Sequence, residues 1–187
     1  MSASRRVLVV ALACLSSFAA AQQSDQVIAE RVLGPQWKQL SRRAGMIFAG
    51  TVLTAASQTA ATDRAVTAVQ LSFRVDRAIA GVERGQILTI HEWAGAWSMH
   101  RPMSGGQHIL IFLYPPSRLG FTSPVGGSLG QVALDPSGKS VSKDAQKPAT
   151  ARGLRNAASP PPVPGDARSV SVVQLERAIR SARSEEE

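Results

Sequence analysis

The chain has 187 residues, of which 44% are hydrophobic, 18% charged and 5% aromatic, and its formal net charge is +8. This length suits one domain of ordinary size with room for a tail, and the charge favours anionic surfaces or acidic polymers as partners. Cys14 is the only cysteine, which excludes a disulfide scaffold and a cysteine-ligated metal site.

Residues 1–21 have the composition of a secretory signal peptide. Two arginines precede an apolar run over residues 7–18, and small residues end at Ala21. This run is shorter than the roughly 20 residues that span a bilayer, so we expect cleavage after Ala21 and no transmembrane anchor afterwards. Lipid attachment at Cys14 is an alternative, although the apolar run continues beyond it. We expect an exported chain, periplasmic or extracellular.

The segment after the signal predicts a helical lead-in and a first strand. Residues 22–45 place apolar side chains at helical spacing, and Gly34-Pro35 divides them into one or two short helices. The β-prone run at 46–53 contains Gly50, which predicts a bulge or a close backbone approach.

Four more β-segments follow. Alternating residues predict a half-buried strand at 69–76, and a third strand is expected at 86–93. The run at 107–114 is apolar nearly throughout, which predicts a strand buried on both faces, and the pattern over 130–142 predicts a hairpin turning at Gly138. Turns or loops are expected over residues 55–64, over residues 79–85, beyond Trp93, and through Gly105 and Gly106.

The C-terminal part has two segments of different character. Residues 147–167 are rich in proline and predict an extended linker. Residues 168–187 predict a short amphipathic helix, capped by Ser169 or Ser171, that ends in three glutamates. The domain at 46–146 is then mainly β. Five strands with a weak helix at each end favour a small barrel or a sandwich over a layered α/β fold.

Three motifs in this domain resemble a known superfamily. Residues 44–52, 73–82 and 106–113 are similar to strands of the netrin-module and TIMP-like OB-type barrels. The chain also resembles a set of uncharacterised exported bacterial proteins, through residues 33–37 and 123–127. The resemblance implies a five-stranded, TIMP-like barrel. It implies no inhibitory mechanism, because TIMP-type inhibitors chelate the protease zinc through an N-terminal cysteine, and the mature chain would begin near Gln22 without one.

Several short motifs match catalytic patterns by letters alone. Residues 126–130, GGSLG, match G-x-S-x-G, but a strand follows them and no histidine lies beyond His108, so a glycine-rich turn is the better interpretation. The S-x-x-K match at 140–143 lacks its partner motifs, and Gly138-Lys139-Ser140 lacks the earlier glycine of a phosphate-binding loop.

Residues 91–100, HEWAGAWSMH, are the strongest candidates for chemistry. A zinc site built from His91, His100 and His108 is one hypothesis, because three imidazoles can bind zinc with one position left open. On a strand His91 and Glu92 point to opposite faces, so both cannot be ligands without a bulge. We therefore favour a recognition surface over a metal site, and we expect no catalytic residues and no cofactor.

The expected function is a secreted or periplasmic, non-enzymatic binding module. Its partner would be a protein, conceivably an exported protease, or an envelope polymer, and nucleic acid is not expected. A metal-dependent hydrolase and a structural envelope component are the alternatives. The predicted partner-binding residues are of types enriched at interfaces, and they are Trp93, Trp97, His100, Arg101, Tyr114 and Arg118.

Overall fold

The computed structural model describes residues 24–58, 68–140 and 169–185. Its strands are β1 (Met46–Gln58), β2 (Ala68–Ala80), β3 (Ile87–Trp93), β4 (His108–Leu113) and β5 (Gln131–Leu134). Its helices are α1 (residues 24–33), α2 (Trp37–Arg43), α3 (Ala94–Trp97) and α4 (Val172–Ser184), and a 3-10 turn spans Gly127–Gly130. The predicted mainly β fold is confirmed.

The five strands form one antiparallel sheet in the order β3-β2-β1-β4-β5. The predicted closed barrel is wrong, because the edge strands β3 and β5 do not pair. The segment 121–125 lies between β3 and β4 instead. It makes isolated bridges from Phe121 to His91 and from Pro124 to Leu113. The β5 strand has only four residues and pairs with the first part of β4, which leaves the sheet open.

The sheet separates two hydrophobic cores. Helices α1, α2 and α4 cover one face, where Ile47 and Phe112 join Leu175 of α4. The other face packs on a second core that contains Phe48 and Phe73, whose rings meet edge to face at 5.5 Å. Residues of β4 alternate between the two cores, which confirms the prediction that this strand is buried on both faces.

Two strands run further than their sequence patterns predicted. Strand β1 continues to Gln58, so residues 55–58 are not a loop, and β2 continues to Ala80 before the turn. The prediction for Gly50 is confirmed. A Cβ at this position would lie 2.4 Å from the carbonyl oxygen of Arg74, and the register shifts between Ala49 and Gly50.

Helix α4 docks on the sheet, and its first residue follows the predicted cap. The Ser171 hydroxyl accepts a hydrogen bond from the Val173 amide, and Gln174 completes a capping box. Glu176 accepts hydrogen bonds from Arg77 of β2, at 2.7 Å, and from Arg180 of its own helix, at 3.0 Å. These contacts tie the C-terminal helix to the middle of the chain.

Several predictions concern residues outside the described ranges. They are the signal peptide at 1–21 with Cys14, the proline-rich linker at 147–167 and the second arm of the hairpin beyond Ser140. Where the chain is described, the hairpin prediction is confirmed up to the bridge between Leu134 and Ser140. No helix in the described ranges combines the length and the apolar character that crossing a membrane requires.

Candidate functional site

A buried acid–base pair lies at the end of β3. Ile90 and Glu92 are buried and alternate on β3 with the exposed Thr89 and Trp93 and the half-buried His91, so both point inward. Glu92 has no exposed surface, and the side chain of His100 is 1% exposed. The Nε2 atom of His100 lies 2.8 Å from Oε1 of Glu92. The chain therefore holds a carboxylate and an imidazole in contact, away from water.

The two oxygens of Glu92 differ in their partners. Oε1 contacts His100, whereas Oε2 has no hydrogen-bond partner among the described residues. A buried carboxylate oxygen without a donor is costly, because its hydration is lost and not replaced. The position of Glu92 thus depends on the single contact with His100.

Both ring nitrogens of His100 are engaged. Nδ1 lies 3.2 Å from the backbone oxygen of Arg101 and 3.0 Å from Nε2 of Gln131. Burial lowers the pKa of His100, but hydrogen bonds to Glu92 and to the Arg101 carbonyl oppose that effect, and the net pKa lies above its ordinary value of 6.5. Trp97 packs edge to face on the imidazole at 5.2 Å and shields it.

A cleft of about 1040 Å³ opens next to this pair. Its apolar lining residues include Leu33, Ile109 and Val132, which come from α1, β4 and β5. Its volume is at the upper end of the roughly 300–1000 Å³ typical of small-molecule sites. All four residues of β5 line it, so the cleft follows the edge strand of the sheet.

Two residues connect the buried pair to the cleft. Arg101 and Gln131 line the cleft and also contact Nδ1 of His100, Arg101 through its backbone and Gln131 through its side chain. The pair therefore helps to position two residues of the cleft lining, although neither Glu92 nor His100 lines the cleft itself.

The structure does not bring together the three histidines of the zinc hypothesis. His91 is half-buried and faces Phe121, with ring centroids 6.3 Å apart, whereas His108 places Nδ1 3.2 Å from the Thr51 hydroxyl on β1. His100 is held by Glu92. Within the ranges described, no three His, Cys, Asp or Glu residues form a group that could hold a metal ion.

The predicted partner-binding residues do not form one surface. His100 was expected on a recognition surface, but its side chain is buried and cannot contact a partner there. Trp97 is partly buried against the second core, and Tyr114 packs against the helix-covered core. Trp93 is exposed and stacks on Phe121, with centroids 4.3 Å apart. Arg101 and Arg118 are both exposed. Arg101 lines the cleft, whereas Arg118 does not.

The G-x-S-x-G match is a turn, as predicted. Gly126 and Gly127 have positive φ values and lead through the 3-10 turn directly into β5. Ser128 of this turn lines the cleft. The nearby His100 has both nitrogens engaged by other groups, so it is not poised to activate this hydroxyl as a nucleophile.

The inward position of Glu92 was missed by sequence reasoning. The signal was present, because the two-residue period of a strand puts Glu92 on the face of Ile90, which is a core position. The cleft itself gave no local signal, since α1, the loop after α3 and β5 are far apart in sequence.

Comparisons with protein-family models, with curated proteins and with solved structures find no match for this chain.

Proposed function

We propose that this chain is an exported, non-enzymatic binding module whose partner, a protein or an envelope polymer, occupies the cleft along β5. The observation that carries the proposal is the cleft, whose lining combines apolar and polar side chains from several separate segments of the chain. Such a combination is typical of binding sites, where apolar contact supplies affinity and a few polar groups fix orientation.

The environment of His100 supports a positioning role over a catalytic one, whereas His108 lines the cleft and contacts the Thr51 hydroxyl through Nδ1. His100 is the only buried histidine in the described ranges, and its nitrogens contact Glu92, Gln131 and a backbone oxygen. A general base needs a nitrogen within reach of substrate. His100 instead holds the cleft wall in place, which is a positioning role.

A distant relationship to the netrin-module and TIMP-like proteins belongs to this proposal. Its support is that the three similar motifs fall on β1, on β2 with the turn after it, and on β4, and that these strands are neighbours in the sheet. Export is supported by the composition of residues 1–21.

Site-specific photo-crosslinking in the producing cell tests the proposed function. A photoreactive amino acid replaces Leu129, which is exposed and lines the cleft, or Ile87, which is exposed on the opposite edge strand. We expect a discrete adduct from position 129 and none from position 87. No adduct from position 129, or the same adduct from both positions, contradicts the proposal.

A further inference from the structure

A polar row, formed by Arg74, Asp76, Thr51 and His108, crosses three neighbouring strands and ends at the cleft. Thr51 of β1 pairs with Arg74 of β2 and with His108 of β4, so these three side chains lie side by side on one face of the sheet. The Thr51 hydroxyl donates a hydrogen bond to Oδ2 of Asp76 at 2.7 Å, and Nη2 of Arg74 donates to the Thr51 oxygen at 3.3 Å. Nδ1 of His108 lies 3.2 Å from the same oxygen. Thr51 therefore connects a carboxylate and a guanidinium to an imidazole.

The Thr51 hydroxyl determines which nitrogen of His108 carries the proton. A hydroxyl has one proton to donate and two lone pairs that accept. Its proton goes to Asp76, whose other oxygen accepts a hydrogen bond from Nε of Arg74 at 2.9 Å. The contact with His108 then requires a proton on Nδ1, and a neutral imidazole with that proton has a lone pair on Nε2. The polar row therefore sets the tautomer of His108.

The Nε2 atom of His108 is the nitrogen left for a ligand. The half-buried ring lines the cleft, and no residue in the part of the chain that the structure describes makes a hydrogen bond to Nε2. His100 differs, because both of its nitrogens are engaged and its side chain is 1% exposed. His108 therefore offers a hydrogen-bond acceptor to the cleft.

The charge of the cleft selects the kind of donor that this nitrogen would receive. Arg31 is exposed and lines the cleft, and none of the described lining residues is an aspartate or a glutamate. A ligand ammonium would meet a cation there and no carboxylate, so a neutral donor is favoured. A hydroxyl is a neutral donor that can also accept a hydrogen bond from a guanidinium. The cleft is thus suited to a ligand that presents a hydroxyl group.

We infer that Nε2 of His108 is an acceptor site of the cleft for a neutral hydroxyl group of the ligand, and that Thr51, fixed by Asp76, is the positioning residue that keeps this nitrogen unprotonated. This inference rests on the proposed function and names a group that the partner presents. A ligand that covers His108 without a donor leaves Nε2 unpaired, which costs affinity and gives the site its specificity.

NMR of the imidazole nitrogens in the purified chain tests the tautomer. Spectra are recorded at mildly alkaline pH, where an ordinary histidine is neutral, and the signal that is lost in His108→Phe assigns the residue. We expect a proton on Nδ1 in the wild type and in Thr51→Ser, which keeps the hydroxyl. Thr51→Val keeps the shape without the hydroxyl, and there the proton should move towards Nε2. A wild-type His108 with its proton on Nε2, or a tautomer unchanged in Thr51→Val, overturns the inference.

Fluorine NMR with small probes tests the ligand group. The probe is para-fluorobenzyl alcohol, its methyl ether has the same ring without an O–H, and para-fluorobenzylamine carries an ammonium instead. We expect the alcohol to bind about threefold or more tighter than the ether, which is the ratio that one net hydrogen bond supplies. The amine should bind more weakly than the alcohol. The ratio of alcohol to ether should fall towards one in His108→Phe and persist in His91→Phe, a matched control at a half-buried histidine that does not line the cleft.

The binding data can also contradict the inference. It is overturned by the absence of saturable alcohol binding, by equal binding of alcohol and ether, or by a ratio that His108→Phe leaves unchanged. Amine binding as tight as that of the alcohol overturns it as well, because the site would then not select a neutral donor.

This test and the crosslinking experiment fail separately. A specific adduct from position 129 without a preference for the alcohol leaves the proposed function standing and overturns only the role of His108. Preference for the alcohol without an adduct overturns the proposed function and not the acceptor role of His108. Protease digestion of the adduct shows whether a protein or a polymer carries the hydroxyl.

Discussion

Two buried or partly buried glutamates in this molecule are neutralised in different ways. Glu92 is a buried residue of β3 that has no exposed surface and contacts one histidine. Glu176 lies on α4, retains 15% side-chain exposure and accepts hydrogen bonds from two arginines. The comparison teaches that a permanent cation secures a carboxylate at the surface at any ordinary pH, whereas a buried carboxylate paired with histidine depends on the protonation of its partner.

Removing the partner of Glu92 should have the largest effect. His100→Ala leaves a fully buried carboxylate without its only hydrogen-bond partner in the described ranges. We expect the free energy of unfolding to fall by about 3–5 kcal/mol, as is typical when one member of a buried ion pair is removed. Urea denaturation near neutral pH measures this loss.

The double variant Glu92→Leu/His100→Leu is the matched control for that substitution. It removes both charged groups and fills the space with apolar atoms, so it should be clearly more stable than His100→Ala. A loss below about 1 kcal/mol in His100→Ala would show that Glu92 is not destabilised by losing its partner.

Substitution in the other region should have a smaller effect. Glu176→Gln removes the charge that Arg77 and Arg180 contact, but both arginine side chains are about half exposed, at 43% and 56%. We expect a loss of about 1 kcal/mol or less, and a smaller loss at high salt because exposed ion pairs are screened. Denaturation at two salt concentrations checks both expectations.

Glu83→Gln provides the control for Glu176, since Glu83 is exposed in the turn before β3. It should leave stability within about 0.5 kcal/mol of the wild type. A cost of Glu176→Gln as large as that of His100→Ala would remove the distinction between the two regions.

The smallest and most diagnostic effect is the opposite response of the two regions to pH. The pKa of His100 is raised above 6.5, so its contribution to stability is complete below 6.5 and is lost as pH rises through the folded pKa. Burial raises the pKa of Glu176, but hydrogen bonds from Arg77 and Arg180 outweigh it and lower the pKa below 4.5. Its contribution is present above 4.5 and is lost as pH falls through the folded pKa.

Unfolding free energies of the wild type, the Glu92→Leu/His100→Leu variant and Glu176→Gln, measured from acid to mildly alkaline pH, separate these contributions. The double variant should lose the alkaline decline that His100 contributes, and Glu176→Gln should lose part of the acid decline. Identical pH profiles for the wild type and the double variant would contradict the assignment to His100.

Local patterns predicted the elements well, because the determining interactions lie close in sequence. The cap at Ser171, the turn that begins at Gly126 and the close approach at Gly50 each follow from the chemistry of one or two residues. Residues 55–58 were assigned to a loop because they are small and polar, yet they pair with β2. Pairing with a neighbouring strand overrides weak local preference.

Local sequence patterns could not predict that the sheet is open or that a cleft forms. Closure of a barrel depends on whether two edge strands meet, and here the segment 121–125 occupies the place between β3 and β4. The contact between Glu92 and His100 depends on the path of α3 and the loop that follows it. The alternation of a strand correctly placed His91 and Glu92 on opposite faces of β3, but it could not predict which residue would contact Glu92.

Arg183, near the end of α4, determines when the fold can be completed during synthesis. Its guanidinium donates hydrogen bonds to the backbone oxygens of Ser41 and Ala44, where α2 ends, across 142 and 139 residues of sequence. The first helices and the last helix also share one core. Contacts between such distant residues slow folding. A nascent chain therefore cannot complete its helix-covered core until α4 has left the ribosome.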